Sequence, residues 1–236
     1  MAPAFPCAHR GLSSEKSENT LAAFGAAVAA GFPAFEMDLQ LTADKEVIVL
    51  HDAGIERTTD GRGRVDSMTW RELQTYATPD GPVPRLGDLF ASLQAWDGLW
   101  NLEVKAKAAT SPTLELVGRH GLGARALVSS MDTKVLLEAA QVAPDVPRGA
   151  IVVGPLDDAD ISNAVAAKCT WVNMDHDFLD ADDMARLVAA GLRVGAWTVN
   201  DADRARELVE MGVECIITDE REVGQSLKGT APTRWA

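Results

Sequence analysis

The sequence predicts an α/β fold: a (β/α)8 TIM barrel with a small insertion after the second strand. Three observations carry that expectation. Short apolar strand-like runs alternate with runs of helical period, and counting Phe5–His9 and Phe35–Leu39 gives eight strand–helix repeats. The junctions from helix to strand share one punctuation: Ala30-Gly31-Phe32, His120-Gly121-Leu122, Ala190-Gly191-Leu192 and Met211-Gly212-Val213. Glycine just past a helix accepts the left-handed cap before an apolar strand begins. The length, 236 residues, suits one such barrel. An open doubly wound sheet is the competing architecture, but the first strand is followed by no Gly-x-Gly-x-x-Gly turn.

Taken in order, Phe5 to His9 reads as a strand ending in His9-Arg10-Gly11. Ser13 to Asn19 is a polar loop, and Asn19 or Thr20 supplies a helix N-cap. Leu21, Phe24 and Val28 follow at helical spacing, with Gly31 as the stop. The strand from Phe35 carries Glu36 and Asp38. Alternate strand residues face one way, so both carboxylates project together, ~6–7 Å apart along the chain. The chain then returns through Val47 to Leu50 and delivers His51-Asp52. A two-residue loop at Asp44-Lys45 pairs Asp38 with His51; Asp-Lys is a weaker tight-turn signal than Asp-Gly, which leaves a longer loop open.

From Ala53 to about Gly98 the pattern loosens. Arg57 to Gly63 reads as a folded glycine-rich loop, Trp70 to Tyr76 as a short helix, and Leu86 to Trp96 as a second helical segment. This stretch holds too few apolar residues for a core of its own. It is expected to be an insertion over one face of a single domain spanning residues 1–236. Strands are then expected at 100–105, 126–129, 150–153, 170–174, 193–199 and 215–218. Helices are expected at 112–120, 133–142, 157–167, 181–190, 202–211 and 221–227.

Composition narrows the partners. A net charge of −13 without a Lys/Arg-rich run disfavours nucleic acid and anionic membrane surfaces, which reward positive charge. One small anionic substrate remains compatible, since it needs only a local cation or a metal. Three cysteines, Cys7, Cys169 and Cys215, form neither an even framework nor a metal-ligand spacing, so reduced thiols are expected. The longest uncharged run, Leu21 to Phe35, is too short to cross a bilayer, and no basic n-region precedes an apolar stretch. A soluble cytoplasmic protein without stable membrane association is the expectation, with the oligomeric state open.

In a barrel of this kind reactive residues gather at the C-terminal ends of the strands. The first strand offers His9 and Arg10, the second Glu36 and Asp38 with His51 on the return, and the third Glu103 and Lys105. Later strands offer Ser129 or Ser130, Asp175 and His176, Trp197 and Asn200, and Asp219. Alone, Glu103 with Lys105 is an ordinary ion pair and His9 a capping or core histidine; coincidence at neighbouring strand ends favours chemistry. Three crowded carboxylates disfavour joint ionisation, so a cation must sit among them. Lys105 and Arg10 supply part of it, and an all-oxygen ligand set otherwise suits Mg2+ or Ca2+ over zinc. Trp197 reads as a wall for the substrate slightly ahead of a core aromatic. His120 lies at a helix end, and His176 reads as a surface-loop residue; neither is assigned chemistry.

These residues carry a resemblance to the glycerophosphodiester phosphodiesterase family. The matching segments are His9-Arg10-Gly11, Glu18-Asn19-Thr20 with Ala23-Phe24, and Glu36-Met37-Asp38 with Leu41-Thr42-Ala43-Asp44. They continue through His51-Asp52, Arg57-Thr58-Thr59 with Gly61 and Gly63, Glu103-Val104-Lys105, Trp197-Thr198-Val199-Asn200, and Gly212-Val213 with Ile217-Thr218-Asp219. The match is dense from His9 to Leu73 and near the C-terminus, and thin from Ala106 to Val194. The resemblance implies metal-dependent cleavage of glycerophosphodiesters to sn-glycerol 3-phosphate and an alcohol. It implies His9 and His51 as the acid–base pair, and Glu36, Asp38 and Glu103 as ligands of one Mg2+ or Ca2+ ion. Arg10 and Lys105 would contact phosphate, and Trp197 would pack on the glycerol side. Ser17 departs from the family's usual proline and Lys45 from a common glycine. Two other readings stand beside this one: a related barrel phosphodiesterase acting on lysophospholipids, and a non-catalytic barrel binding a phosphorylated metabolite.

Overall fold

The computed structural model describes residues 4–227 and 232–235. Strand β1 (Phe5–Ala8) leads through helix α1 (Leu21–Ala29) to β2 (Ala34–Leu41), which folds back as β3 (Val47–Val49). The next segment holds α2 (Trp70–Leu73), a two-stranded ladder of β4 (Ala77–Thr78) and β5 (Gly81–Pro82), and α3 (Leu86–Ser92). Strand and helix then alternate: β6 (Leu99–Val104), α4 (Thr110–Arg119), β7 (Ala126–Ser130), α5 (Thr133–Val142), β8 (Arg148–Val152) and α6 (Asp158–Ala166). They continue through β9 (Trp171–Asp175), α7 (Ala181–Ala189), β10 (Arg193–Trp197), α8 (Ala202–Met211), β11 (Cys215–Thr218) and α9 (Arg221–Ser226). Strands β1, β2, β6, β7, β8, β9, β10 and β11 pair in parallel in that order, and β11 pairs with β1 to close the ring. This is the (β/α)8 barrel expected from the alternation.

The helices begin where short polar side chains can cap them. Thr20 accepts the Ala23 amide at the start of α1, Asp132 the Lys134 amide before α5, and Asp201 the Arg204 amide before α8. Helices α5 and α8 occupy the predicted spans. Gly31 and Gly212 follow their helices at φ +82° and +111°, the left-handed geometry that the punctuation implied.

Strand alternation divides each barrel strand between two environments. Phe35, Met37 and Leu39 of β2 pack outward with Trp100, Leu102 and Val104 of β6 beneath the helices. Phe5, Ala34, Leu99, Leu127, Trp171 and Cys215 pack together inside as an apolar floor. Trp235, from the end of the chain, completes that floor. Its ring meets Phe5 at 5.7 Å and Trp171 at 5.2 Å between centroids, and its carbonyl accepts the Trp171 indole N–H at 2.8 Å. Above the floor the register sets Glu36 beside Asn101 and Asp38 beside Glu103, so polarity rises toward the C-terminal mouth.

The return hairpin corrects one expectation. Leu39 pairs with Val49 and Leu41 with Val47, and Leu50 N–H donates to Asp38 O at 2.9 Å. Leu50, not His51, therefore faces Asp38. The loop is Ala43-Asp44-Lys45, three residues long, with Lys45 at φ +70°. A turn followed by one left-handed residue is the standard three-residue solution, and it shifts the register by one. Lysine tolerates that conformation less well than the glycine common at this place. The Thr42 hydroxyl helps hold the loop, accepting the Glu46 amide at 2.9 Å.

Beyond the hairpin, Ile55, Val65, Leu73 and Val83 pack on Ile48 and Leu50 as a small cluster. Segment 53–98 thus takes part of its apolar partner from the hairpin. Its two α-helices are shorter than expected, stopping at Leu73 and Ser92. Trp96 lies beyond α3 and stacks on Phe35 at 3.8 Å.

Candidate active site

The first βα junction turns sharply. Arg10 and Gly11 are consecutive left-handed residues, φ +57° and +77°. A Cβ on Gly11 would stand 2.7 Å from the backbone of Ala23, so only glycine fits against α1. The turn sets His9 at the mouth and aims the Arg10 amide at Glu36 Oε2, 3.0 Å away.

The Glu18-Asn19-Thr20 run then divides its labour. Glu18 accepts from Arg10 at 3.0 Å and from both terminal nitrogens of Arg57 at 2.8 Å. Asn19, left-handed at φ +59°, donates its amide to Asp38 Oδ2 at 2.8 Å. Thr20 caps α1. One short loop therefore holds a cation, a buried carboxylate and a helix end.

Glu36, Asp38 and Glu103 are all buried, and one oxygen of each lies within 4.8 Å of the others. Burial, then the neighbouring Asp38 and Glu103 charges, push Glu36 well above the ordinary carboxyl value. Burial and then Asp38 likewise raise Glu103. Burial works to raise Asp38 as well, but Lys105 and then Arg10 outweigh it and hold that carboxyl below its ordinary value. Lys105 Nζ lies 2.9 Å from Asp38 Oδ1 and pairs with Glu103, while Arg10 Nε lies 3.2 Å from Asp38 Oδ2. Among the described residues Glu36 Oε1 is buried with no hydrogen-bond partner, and neither Arg10 Nε nor Asp38 Oδ1 makes an aligned hydrogen bond. A trio of acids with an orphaned oxygen, countered by two cations, fits a hard divalent ion held by oxygen ligands.

Both histidines at the mouth are backed by aspartates through Nδ1. His9 Nδ1 lies 2.8 Å from Asp219 Oδ1, and its Nε2 is 3.9 Å from Glu36 Oε2. His51 Nδ1 lies 2.6 Å from Asp52 Oδ1. Arg57 Nε grips the other Asp52 oxygen at 2.5 Å; that bond, together with His51, brings the Asp52 carboxyl down to about 2. A continuous chain of charge thus runs from His51 through Asp52, Arg57, Glu18 and Arg10 to Asp38.

A cavity opens between these groups. His9, Arg10, Glu36, His51, Glu103 and Lys105 line its charged side, and Trp197 stands on the other with Met131 and Ile151. Of the eight residues singled out from the sequence, seven line this cavity. Asp38 lies fully buried beneath Arg10 and Lys105. Other strand-end candidates lie elsewhere. Ser129 donates to Asn101 within the barrel, Ser130 to the Val104 carbonyl, and Asp175 accepts the Asp177 amide. His120 packs on Phe90 at 5.4 Å. Asn101 and Asn173 form part of the cavity floor and were not anticipated. Counting back two residues from Glu103 and from Asp175 would have found them. Trp197 donates its indole N–H to the Asn173 carbonyl at 3.1 Å, which sets the ring against the cavity.

A closed barrel whose mouth combines paired imidazoles, guanidinium, ammonium and a buried carboxylate trio defines an enzyme built for an anionic substrate. The sequence profile of the Glycerophosphoryl diester phosphodiesterase family matches residues 9–223, and the chain belongs to that family. Its relatives include YhdW of Bacillus subtilis (strain 168), 30% identical over 226 residues, which are 90% of this chain and 93% of that protein. The glycerophosphodiester phosphodiesterase of Caldanaerobacter subterraneus subsp. tengcongensis is 27% identical over 91% of this chain and 93% of its own. Among solved structures, an Oleispira antarctica phosphodiesterase in complex with the product sn-glycerol-3-phosphate superposes with a TM-score of 0.89. It is 25% identical, over 95% of this chain and 97% of that one.

Proposed function

We propose that this enzyme hydrolyses glycerophosphodiesters to sn-glycerol 3-phosphate and an alcohol, using one Mg2+ or Ca2+ ion and the His9/His51 pair. The observation that carries the reading is the placement of two aspartate-backed imidazoles around one cavity over the Glu36/Asp38/Glu103 trio. A phosphodiester is a monoanion that repels nucleophiles, and charge grows on its oxygens as the bond breaks. Glu36, Asp38 and Glu103 would hold the ion, which when bound withdraws charge from phosphoryl oxygen. Arg10 and Lys105 reach the same side of the cavity and would orient the phosphate. With each Nδ1 held by an aspartate, His9 and His51 present Nε2 for proton transfer. One takes the proton of the attacking oxygen and the other protonates the departing alcohol.

Trp197 offers a flat apolar face to the glycerol carbons while the charged side holds the phosphate. Fixed recognition of the glycerol phosphate half and loose recognition of the alcohol follow. We take residues 1–236 as one catalytic barrel domain with 53–98 as an insertion, acting in the cytoplasm on soluble diesters. The net charge of −13 supports the absence of stable association with anionic membranes; among the described residues no helix is long and apolar enough to cross one. A second reading has one observation in its favour: Met131, 54% exposed at the cavity edge near Ile151 and Trp197, extends the apolar side outward as an acyl chain on glycerol would require. Assays of glycerophosphocholine, glycerophosphoethanolamine and lysophosphatidylcholine, reading out the phosphorylated product, test both. Preference for the lysophospholipid by about tenfold in kcat/KM, about 1.4 kcal/mol of transition-state binding, would favour the second.

A further inference from the structure

Asp219 follows β11 and meets His9 from 210 positions away in the chain. Asn200 holds the other oxygen of that carboxylate. We propose that Asp219 is a positioning residue for this reaction. It fixes His9 in the tautomer with hydrogen on Nδ1 and a free lone pair on Nε2, facing the cavity. This rests on the reading of His9 as a proton-transfer group.

The hydrogen bonds leave little choice of tautomer. Asp219 Oδ1 accepts from His9 Nδ1 at 2.8 Å and from the Ser13 hydroxyl at 2.6 Å. Oδ2 accepts from Asn200 Nδ2 at 2.7 Å. The orientation of Asn200 is itself fixed. The Asp219 backbone N–H can only donate, and it lies 2.9 Å from Asn200 Oδ1. The Thr218 hydroxyl, 3.2 Å away, donates to the same oxygen. The NH2 of Asn200 must therefore face the carboxylate. An ionised carboxylate only accepts, so His9 Nδ1 must donate. Asp52 behind His51 differs, because Arg57 occupies its second oxygen and shares its charge. Among the described residues the Asp219 carboxylate meets only neutral donors besides His9, and its negative charge is left for the imidazole.

A purely structural role explains less. The seam between the first and last barrel strands is already closed by backbone, from Phe5 paired with Cys215 to Ala8 with Thr218, and by His9 N–H to Thr218 O at 2.9 Å. The carboxylate adds nothing to that ladder. It adds direction to one ring.

Asp219→Asn tests this because the replacement is isosteric yet reverses one donor. Asn200 Nδ2 still demands an acceptor, so the new amide turns its oxygen there and its NH2 toward His9. His9 must then accept at Nδ1 and carry hydrogen on Nε2, closing the lone pair used in catalysis. The corresponding substitution behind a catalytic histidine of a serine protease acts in this way. With glycerophosphocholine and saturating Mg2+, kcat is expected to fall by about 10²-fold or more, with KM and metal affinity little changed. In a His9→Ala background the same substitution should cost nothing further, since it acts only through that ring. Imidazole 15N shifts of His9 in the metal-free protein should show Nδ1–H in the natural chain and Nε2–H in the variant. Additive losses in the double variant, or the same tautomer in both proteins, would overturn the proposal. Should Asp219→Asn fail to fold, Asn200→Ala releases Oδ2; it should lower kcat less, again only when His9 is present, and an unchanged kcat would overturn the proposal. If His9→Ala is inactive while Asp219→Asn is fully active, the positioning role alone fails. If His9→Ala retains the natural rate, the acid–base reading of His9 fails and the positioning role with it.

Discussion

Lys105 Nζ lies 2.9 Å from Asp38 Oδ1, and the same ammonium pairs with Glu103. The contact follows from strand geometry. Asp38 and Glu103 face each other across β2 and β6, and Lys105 stands two residues beyond Glu103 on the same side. Lys105 and Arg10 hold Asp38 ionised against its burial, but three carboxylates share these two cations. Glu36 and Glu103 are left raised. That imbalance is what a divalent ion would relieve.

Stability should report this relief through pH. Glu36 and Glu103 titrate above the ordinary 4.5 in the folded chain. Their neutral forms therefore favour folding, a contribution fully present below that value and lost as pH rises through the raised ones. An ion that binds the ionised trio repays that loss only at the higher pH. Thermal unfolding with and without excess Mg2+ should show a larger gain in Tm at about pH 8 than at about pH 5. Equal gains, or none, would contradict the linkage.

His51 comes to the mouth on its own hairpin. His51→Ala is expected to lower kcat by about 10²-fold or more, the usual scale for a lost acid–base group. Metal binding measured by calorimetry should persist. A near-natural rate would remove His51 from the chemistry.

Trp197 is held by its bond to the Asn173 carbonyl rather than by the charged cluster. Trp197→Ala should raise KM for glycerophosphocholine and glycerophosphoethanolamine together and leave metal affinity unaltered. A rise for only one of them would place the indole against the alcohol instead of the glycerol.

Trp235 plugs the opposite end of the barrel and is 1% exposed. Trp235→Ala should cost about 3–5 kcal/mol in denaturant unfolding, as for other large aromatics removed from a core. Turnover per folded molecule should be retained, because the floor lies at the far end from the mouth. Loss of turnover without loss of stability would contradict that division.

Much of this arrangement is legible in the residue order because strands and helices have fixed periods. Glu36 with Asp38, and Glu103 with Lys105, are two apart in strands, and that alone sets each pair on one side. Glycine after helices marks the repeat. Conformations that a residue does not advertise were less visible. Lys45 adopts φ +70° and lengthens the hairpin loop by one, which moves Leu50 opposite Asp38. Contacts between distant strands were invisible to periodicity: Asp219 could be placed at a strand end, but not against His9. Trp235 gives no local sign that it will fill the barrel floor, since it belongs to no strand.

Metal-dependent cleavage on the glycerol phosphate side is open to one direct assay. Release of sn-glycerol 3-phosphate from glycerophosphocholine is measured with Mg2+ or Ca2+, in excess EDTA, and after the ion is restored. The metal content is followed by elemental analysis. Release is expected with the ion, none in EDTA, and recovery on its return. Full release by protein shown to be free of metal, or no glycerol 3-phosphate with any divalent ion, would contradict it.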